Sequence, residues 1–362
     1  MRNEHHEGRR THTRHLFFWI LLGIAAIIAL IVMGRACSLG GISDISRIER
    51  RTKDPYMASL QGDIASAASE IGLPDDPLSG TFPDVDAIIN ANADHTDEII
   101  ILNVGQGDAT LIVSGSHAAL IDTGPQDAAE SLINRLREER VMTLDYLFIT
   151  HPHMDHYGNA NTVLGNLTVK NYVTPVLDDE AYYWNVILQE ADRQHIPVTT
   201  PIPGDTFTVG NFSLTVLAPV PEVLAQDKAD ADEAGDEFDP NEGSLALLVT
   251  DKTGNFSFLV YGDGEESIEH QIATSSYLTP GLDVLHVAHH GSSSSSGEEL
   301  LSALSPDTPH TAIISVGKGN EYGHPVQSVL NRLSDHGYTV IRTDEHGEIA
   351  IQIGENGSYT IR

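Results

Sequence analysis

His151-Pro152-His153-Met154-Asp155-His156 places four potential metal ligands within six residues. Directly before it, Leu144-Asp145-Tyr146-Leu147-Phe148-Ile149-Thr150 reads as a buried strand. Imidazole and carboxylate donors suit zinc, manganese or iron. A cluster at a strand end is held rigid while staying open to solvent. The plain alternative is a histidine-rich polar turn, and the rest of the chain argues against it by supplying matching parts.

Three of those parts lie elsewhere in the chain. Ile121-Asp122-Thr123-Gly124 is a strand that ends in a carboxylate and a glycine turn. Asp122 either marks that turn or orients a ligating imidazole from behind. In Val260-Tyr261-Gly262-Asp263-Gly264 two glycines allow close backbone approach, and Asp263 is suited to bridge two cations. Val287-Ala288-His289-His290-Gly291-Ser292 ends another buried strand. Adjacent residues of an extended chain point to opposite faces, so one of His289 and His290 is expected to be a ligand. The other is then left to support it or to face substrate.

These stretches, with Asn103-Val104-Gly105-Gln106-Gly107-Asp108, resemble the metallo-β-lactamase superfamily. More narrowly, they resemble the exported C-terminal hydrolase domain of ComEC competence proteins. Ser315-Val316-Gly317-Lys318-Gly319-Asn320-Glu321-Tyr322-Gly323-His324-Pro325 and Arg342-Thr343-Asp344 match the same branch. The resemblance covers Glu98 to Arg362 and implies an α/β (α+β) protein with an αββα sandwich and a two-metal site at one sheet edge. It puts His151 and His153 on the first metal. Asp155 and His156 go on the second, joined by His289 in preference to His290, with Asp263 between the two. The nucleophile it implies is water activated by both cations.

Other residues take supporting roles in that reading. Asp155 is catalytic as well as ligating. His324 donates a proton to a leaving group or contacts a phosphate at the helix that follows it. Asp108 orients a ligand or only completes its Gly-Gln-Gly turn. His290 and Ser292 face substrate, while Lys318 and Asn320 hold an anion. Ser292 to Ser296 form a flexible loop over the site, with no Gly-x-Ser-x-Gly elbow to make a serine nucleophile. Most superfamily members carry a third histidine on the first metal, but none lies here between His195 and His270. Asn241-Glu242-Gly243-Ser244 fills the stretch, so an oxygen from Asn241 or Ser244, or water, must complete that site. Oxygen ligands shift the expected pair of divalent ions from zinc toward manganese or mixed occupancy.

Four segments follow from composition. Residues 1–15 are a basic tail, and residues 16–33 are an uncharged apolar run just long enough to span a bilayer. That run is a membrane anchor or a cleaved signal, with everything after it exported. A cleaved chain would be secreted. Cys37, the only cysteine, stands where a lipidated cysteine would stand. Residues 34–95 form a proline-rich acidic linker, and 96–362 form the hydrolase domain, in which Asp227 to Glu242 is expected to be a mobile acidic loop.

With 20 Lys and Arg against 52 Asp and Glu, the net charge is −32. Such a surface repels polyanions and excludes broad, counterion-driven duplex binding. The expectation is a membrane-anchored hydrolase that cuts phosphodiesters, with short engagement of single-stranded DNA or a smaller phosphoester and a separate channel protein as partner. The alternatives are hydrolysis of a small ester or lactone, and a non-catalytic metal-binding scaffold.

Overall fold

The computed structural model describes residues 97–175, 182–278, 281–304 and 310–362. The basic tail, the apolar run at 16–33, Cys37 and the linker lie outside the described residues. Among those described, no helix is long and apolar enough to cross a membrane.

The strands of the first half are β1 (Asp97–Ile101), β2 (Thr110–Ser114), β3 (His117–Ile121), β4 (Thr143–Leu144), β5 (Tyr146–Phe148), β6 (Thr168–Val169), β7 (Tyr172–Val173) and β8 (Val198–Thr199). Those of the second are β9 (Thr206–Val209), β10 (Phe212–Ala218), β11 (Ala246–Asp251), β12 (Ser257–Val260), β13 (Val284–His286), β14 (His310–Ile314), β15 (Tyr338–Arg342), β16 (Ile349–Ile353) and β17 (Tyr359–Ile361). They build an eight-stranded sheet in the order β17-β16-β1-β2-β3-β5-β7-β8 and a seven-stranded sheet in the order β15-β14-β13-β12-β11-β10-β9. The last two strands of the chain cross back to the first sheet, where β16 pairs antiparallel with β1 and sets Ile99 opposite Ile351.

Period-2 patterning explains why the sheets stack. In β1, Ile99 and Ile101 belong to the core between the sheets, while Ile100 belongs to a second core under helices. The same split runs through β2, where Ile112 faces the other sheet and Leu111 and Val113 face helices. Every residue of β2 is buried, and its centre Leu111-Ile112-Val113 is apolar on both faces, as suits a strand covered on both sides.

The outer layer on the first sheet is α1 (Ala129–Glu138), α2 (Met154–Tyr157), α3 (Ala160–Asn166) and α4 (Tyr182–Arg193). Leu132 and Leu136 of α1 and Trp184 of α4 enter its core. On the second sheet, α6 (Glu266–Ala273), α7 (Glu298–Leu304) and α8 (Gln327–Asp335) cover a third core through Ile268, Leu300 and Val329. The layers are therefore helix, sheet, sheet, helix.

One expectation needs correction. The acidic stretch from Asp227 is not a loop at its start, because α5 spans Pro221–Ala234. Pro221 occupies the first turn, where its missing N–H costs nothing, and Gly235 ends the helix in the left-handed conformation at φ 76°. Leu224 is buried beneath it, and the Ser267 hydroxyl donates to Asp227 Oδ2 at 2.7 Å. The short helix α9 (Thr343–His346) follows β15.

Candidate metal centre

The C-terminal ends of strands from both sheets converge at one edge. Asp122 follows β3, and Thr150 and His151 follow β5, which runs parallel to β3. From the second sheet Asp263 follows β12 and the His289-His290 pair follows β13, again a parallel pair. Leu245 N–H donates to Thr150 O at 2.9 Å and stitches the two sheets together beside the site.

Two groups of donor atoms share Asp263. One is Asp155, His156, Asp263 and His290, and the other is His151, His153 and Asp263, with every donor of a group within 4.8 Å of the rest. His156 Nε2 and Asp263 Oδ1 are 3.1 Å apart, both buried and neither aligned for a hydrogen bond. His290 Nε2 lies 3.2 Å from Asp155 Oδ2, and His151 Nε2 lies 3.1 Å from His153 Nδ1. Two buried atoms without partners, His156 Nε2 and Asp263 Oδ1, within donor groups that are all imidazole or carboxylate, fit a pair of divalent cations.

Supporting contacts fix the ligand rings. Asp122 Oδ1 accepts the Thr150 N–H at 2.8 Å, and Oδ2 accepts the Thr150 hydroxyl at 2.7 Å and His156 Nδ1 at 2.8 Å. This turns Nε2 of His156 toward Asp263. Gly262, at φ 53°, brings the chain against Thr150, where a Cβ would stand 2.5 Å from its Oγ1.

The electrostatics follow from burial and packing. Burial, then the His156 charge, pushes His151 well below its ordinary value, so it stays neutral as a ligand must. Burial alone would lower His156 too, but the Asp263 and Asp122 charges hold it well above. His290 is likewise pushed down by burial yet lifted to about 9, first by Asp263 and then by its contact with Asp155. Desolvation would raise Asp263, but His156 and His290 hold it well below the carboxylate range. A cation at these groups would compete with a proton on His156 or His290.

The histidine pair departs from expectation. His290, not His289, joins Asp155 and His156. The strand ends at His286, and both histidines take left-handed conformations, φ 50° ψ 38° and φ 53° ψ 21°. The alternation expected of an extended chain is lost, and both rings turn toward the cleft. His289 Nδ1 meets Glu265 Oε1 at 2.9 Å, while its Nε2 is 3.8 Å from Asp263 Oδ2.

The remaining residues divide. A cleft of about 280 Å³ over the two groups is lined by Gln106, Asn241, His289, Tyr322 and His324, among others. Burial, then the His289 and His290 charges, lowers His324 from its ordinary value. Ser244 is fully buried with an unpartnered hydroxyl. Asp108 is buried with neither oxygen hydrogen-bonded, 3.5 Å from His286 Nε2, and its charge helps to raise His290. Lys318 is exposed and does not line the cleft. Asn320 is occupied by its own loop, donating to Gly317 O and His324 O and accepting from the His324 N–H. Ser292 is buried against Ser294.

The serine run is tied down rather than flexible. Ser296 N–H donates to Glu269 Oε1, Gly297 N–H donates to Oε2 at 2.8 Å, and Arg332 donates to the Ser295 and Ser296 carbonyls. Glu265, Glu269 and Tyr322 were not singled out from sequence. Glu265 stands two residues after Asp263, which is the one local signal that pointed to it.

The chain matches the model of the metallo-beta-lactamase superfamily over residues 102–309. It is 33% identical over 273 residues to "ComE operon protein 3" of Bacillus subtilis, covering 70% of this chain and 32% of that protein. It is 29% identical over 260 residues to "Recombination protein 2" of Haemophilus influenzae, covering 71% of this chain and 29% of that protein. The chain thus spans about a third of the length of these curated relatives. Among solved structures it resembles the metallo-beta-lactamase fold protein YhfI from Bacillus subtilis, with 13% identity and a TM-score of 0.43, covering 74% of this chain and 100% of that one. The family match, the competence relatives and the shared carboxylate between two histidine groups lead to one assignment: the chain belongs to the metallo-beta-lactamase superfamily, as a ComEC-like competence-protein hydrolase domain.

Proposed function

We propose that this hydrolase is a phosphodiesterase that cuts single-stranded DNA, held outside a membrane by residues 16–33 and loaded with two divalent ions, manganese or zinc. The observation that carries it is Asp263, which offers Oδ1 to the His156–His290 side and Oδ2 to the His151 side. A pair of bound cations at these groups would polarise a phosphoryl oxygen and make water nucleophilic at neutral pH. His151, His153 and His156 would hold that pair from the first sheet, with Asp155 and His290 completing the His156 side. His324 lines the cleft, and its lowered imidazole supports a role as the proton acceptor. Tyr322 is 71% exposed at the rim, with its ring stacked on His324 at 5.8 Å, and offers a face for a nucleobase. The name of the Haemophilus influenzae relative, a recombination protein, favours DNA as the substrate, and a separate channel protein as partner is part of the same proposal.

A second reading is hydrolysis of a small phosphoester, ester or lactone. The cleft, at about 280 Å³, is small, and the net charge of −32 offers few cations to track a strand. The test is to purify the full chain in detergent, measure bound metal by elemental analysis, and assay single-stranded DNA with added manganese. Cutting that disappears in the Asp263→Ala, His151→Ala double variant supports the nuclease. Bound metal with no cutting of any nucleic acid moves the assignment to small esters.

A further inference from the structure

We infer that His289 supplies the donor missing from the first group, so that the adjacent histidines serve different cations. This rests on the two-cation reading above. His289 Nε2 stands 3.8 Å from Asp263 Oδ2, the oxygen that His151 Nε2 approaches to 3.9 Å. His290 Nε2 stands 3.9 Å from Oδ1, on the side of His156 and Asp155. The pair thus divides between the two oxygens of one carboxylate.

Two independent features support a ligand role for His289. Its Nδ1 is held by Glu265 at 2.9 Å, the carboxylate–imidazole arrangement that fixes tautomer and aim in ligating histidines. That leaves Nε2 as the free nitrogen, turned to the cleft. The backbone is the second feature. Two consecutive non-glycine residues, at φ 50° and 53°, sit in the left-handed region that L side chains rarely adopt. A relaxed strand end would present one ring, whereas the strained turn presents both.

The first group otherwise has two imidazoles and a shared carboxylate, one donor short of a tetrahedral set. His289 lies outside the group whose donors are all within 4.8 Å of one another, so a small swing of the ring about its Glu265 contact completes the set. The rival donor is Asn241, whose Oδ1 is buried without a partner and whose side chain lines the same cleft. Its amide bonds the same Glu265 carboxylate, whereas His289 combines that contact with an Nε2 standing 3.8 Å from Asp263 Oδ2.

The test uses the full-length chain in detergent, stripped of metal and titrated with Mn²⁺ or Zn²⁺. Bound ions are counted by elemental analysis, affinities are read by calorimetry, and circular dichroism checks folding. Wild type should bind two ions. His289→Gln and His290→Gln should each retain one, and the double variant none, because each histidine serves a different cation. Glu265→Gln should keep both ions, with one weakened about 10–100-fold, the loss typical of an outer partner.

A double variant that retains one ion puts both histidines on the same cation and overturns the assignment. So does His289→Gln that keeps two ions at wild-type affinity, whether or not Asn241→Ala loses one. A wild type that binds fewer than two ions refutes the two-cation reading itself, and the wild-type titration alone reveals that case.

Discussion

Asp122→Asn is the sharpest perturbation of this site, because it changes charge and proton placement with almost no change in shape. Asp122 is left-handed at φ 59°, a conformation asparagine tolerates equally well. Its two oxygens accept three hydrogen bonds, from the Thr150 N–H, the Thr150 hydroxyl and His156 Nδ1. The amide oxygen must stay on the Thr150 N–H, since a backbone donor cannot reverse. The new NH₂ then faces the hydroxyl and His156 Nδ1. The hydroxyl can rotate, but the imidazole can only accept by moving its proton to Nε2. That nitrogen is the one 3.1 Å from Asp263 Oδ1, and a protonated nitrogen cannot ligate.

The expected outcome is a fall of about 10–100-fold in affinity for the ion on the His156 side, or about 1.4–2.7 kcal/mol. The other ion should be little affected. Folding stability should drop by about 1–3 kcal/mol for the lost charge-assisted bond. Calorimetric metal titration reads the affinity, and nitrogen NMR of labelled histidine reads the tautomer. Unchanged affinity for both ions, with His156 still protonated at Nδ1, would refute the orienting role of Asp122.

Three further outcomes follow from other parts of the site. Glu269, lifted to about 7 by burial, binds a proton in the folded state at pH values where the unfolded chain, near 4.5, does not. Stability should therefore fall as pH rises from about 4.5 to 7, by up to about 3 kcal/mol, and parallel urea-denaturation curves for wild type and Glu269→Gln across that window would count against it. Gly262→Ala should cost about 2–5 kcal/mol, from a left-handed φ of 53° and from a Cβ placed 2.5 Å from Thr150 Oγ1 and 2.7 Å from its Cβ; a loss under about 1 kcal/mol contradicts the close packing. Tyr322→Ala should raise KM for single-stranded DNA by about 5–150-fold, from the roughly 1–3 kcal/mol of one stacked base, and leave an abasic strand unaffected. Equal losses on both substrates would remove the stacking role.

Much of the centre was legible because its residues are neighbours in sequence or carry local geometry. His151, His153, Asp155 and His156 lie on one strand end and one helical turn, and Asp263 is marked by flanking glycines. The choice between His289 and His290 was not legible. It depends on two consecutive positive φ values, which no side-chain pattern encodes. Asn320 looked like an anion contact because it is polar and sits in a loop near the site, but that loop's own backbone claims its amide. The acidic run was read as a loop from its charge, yet Pro221 and Gly235 are helix boundary signals that enclose its first half. Glu269 and Arg332 hold the serine run from helices distant in sequence, a contact visible only in three dimensions.

The strand ends that meet at Asp263 come from both sheets, and this makes metal loading a clasp between two halves of the polypeptide. His151, His153, Asp155 and His156 belong to the first half, and Asp263, His289 and His290 to the second. Neither half alone can coordinate an ion pair. Each cation that prefers the assembled edge adds about 2.7 kcal/mol of cohesion at a free concentration 100 times its Kd. The melting temperature should then climb with metal concentration, and starvation for metal would loosen the joint between the sheets as well as silence the chemistry.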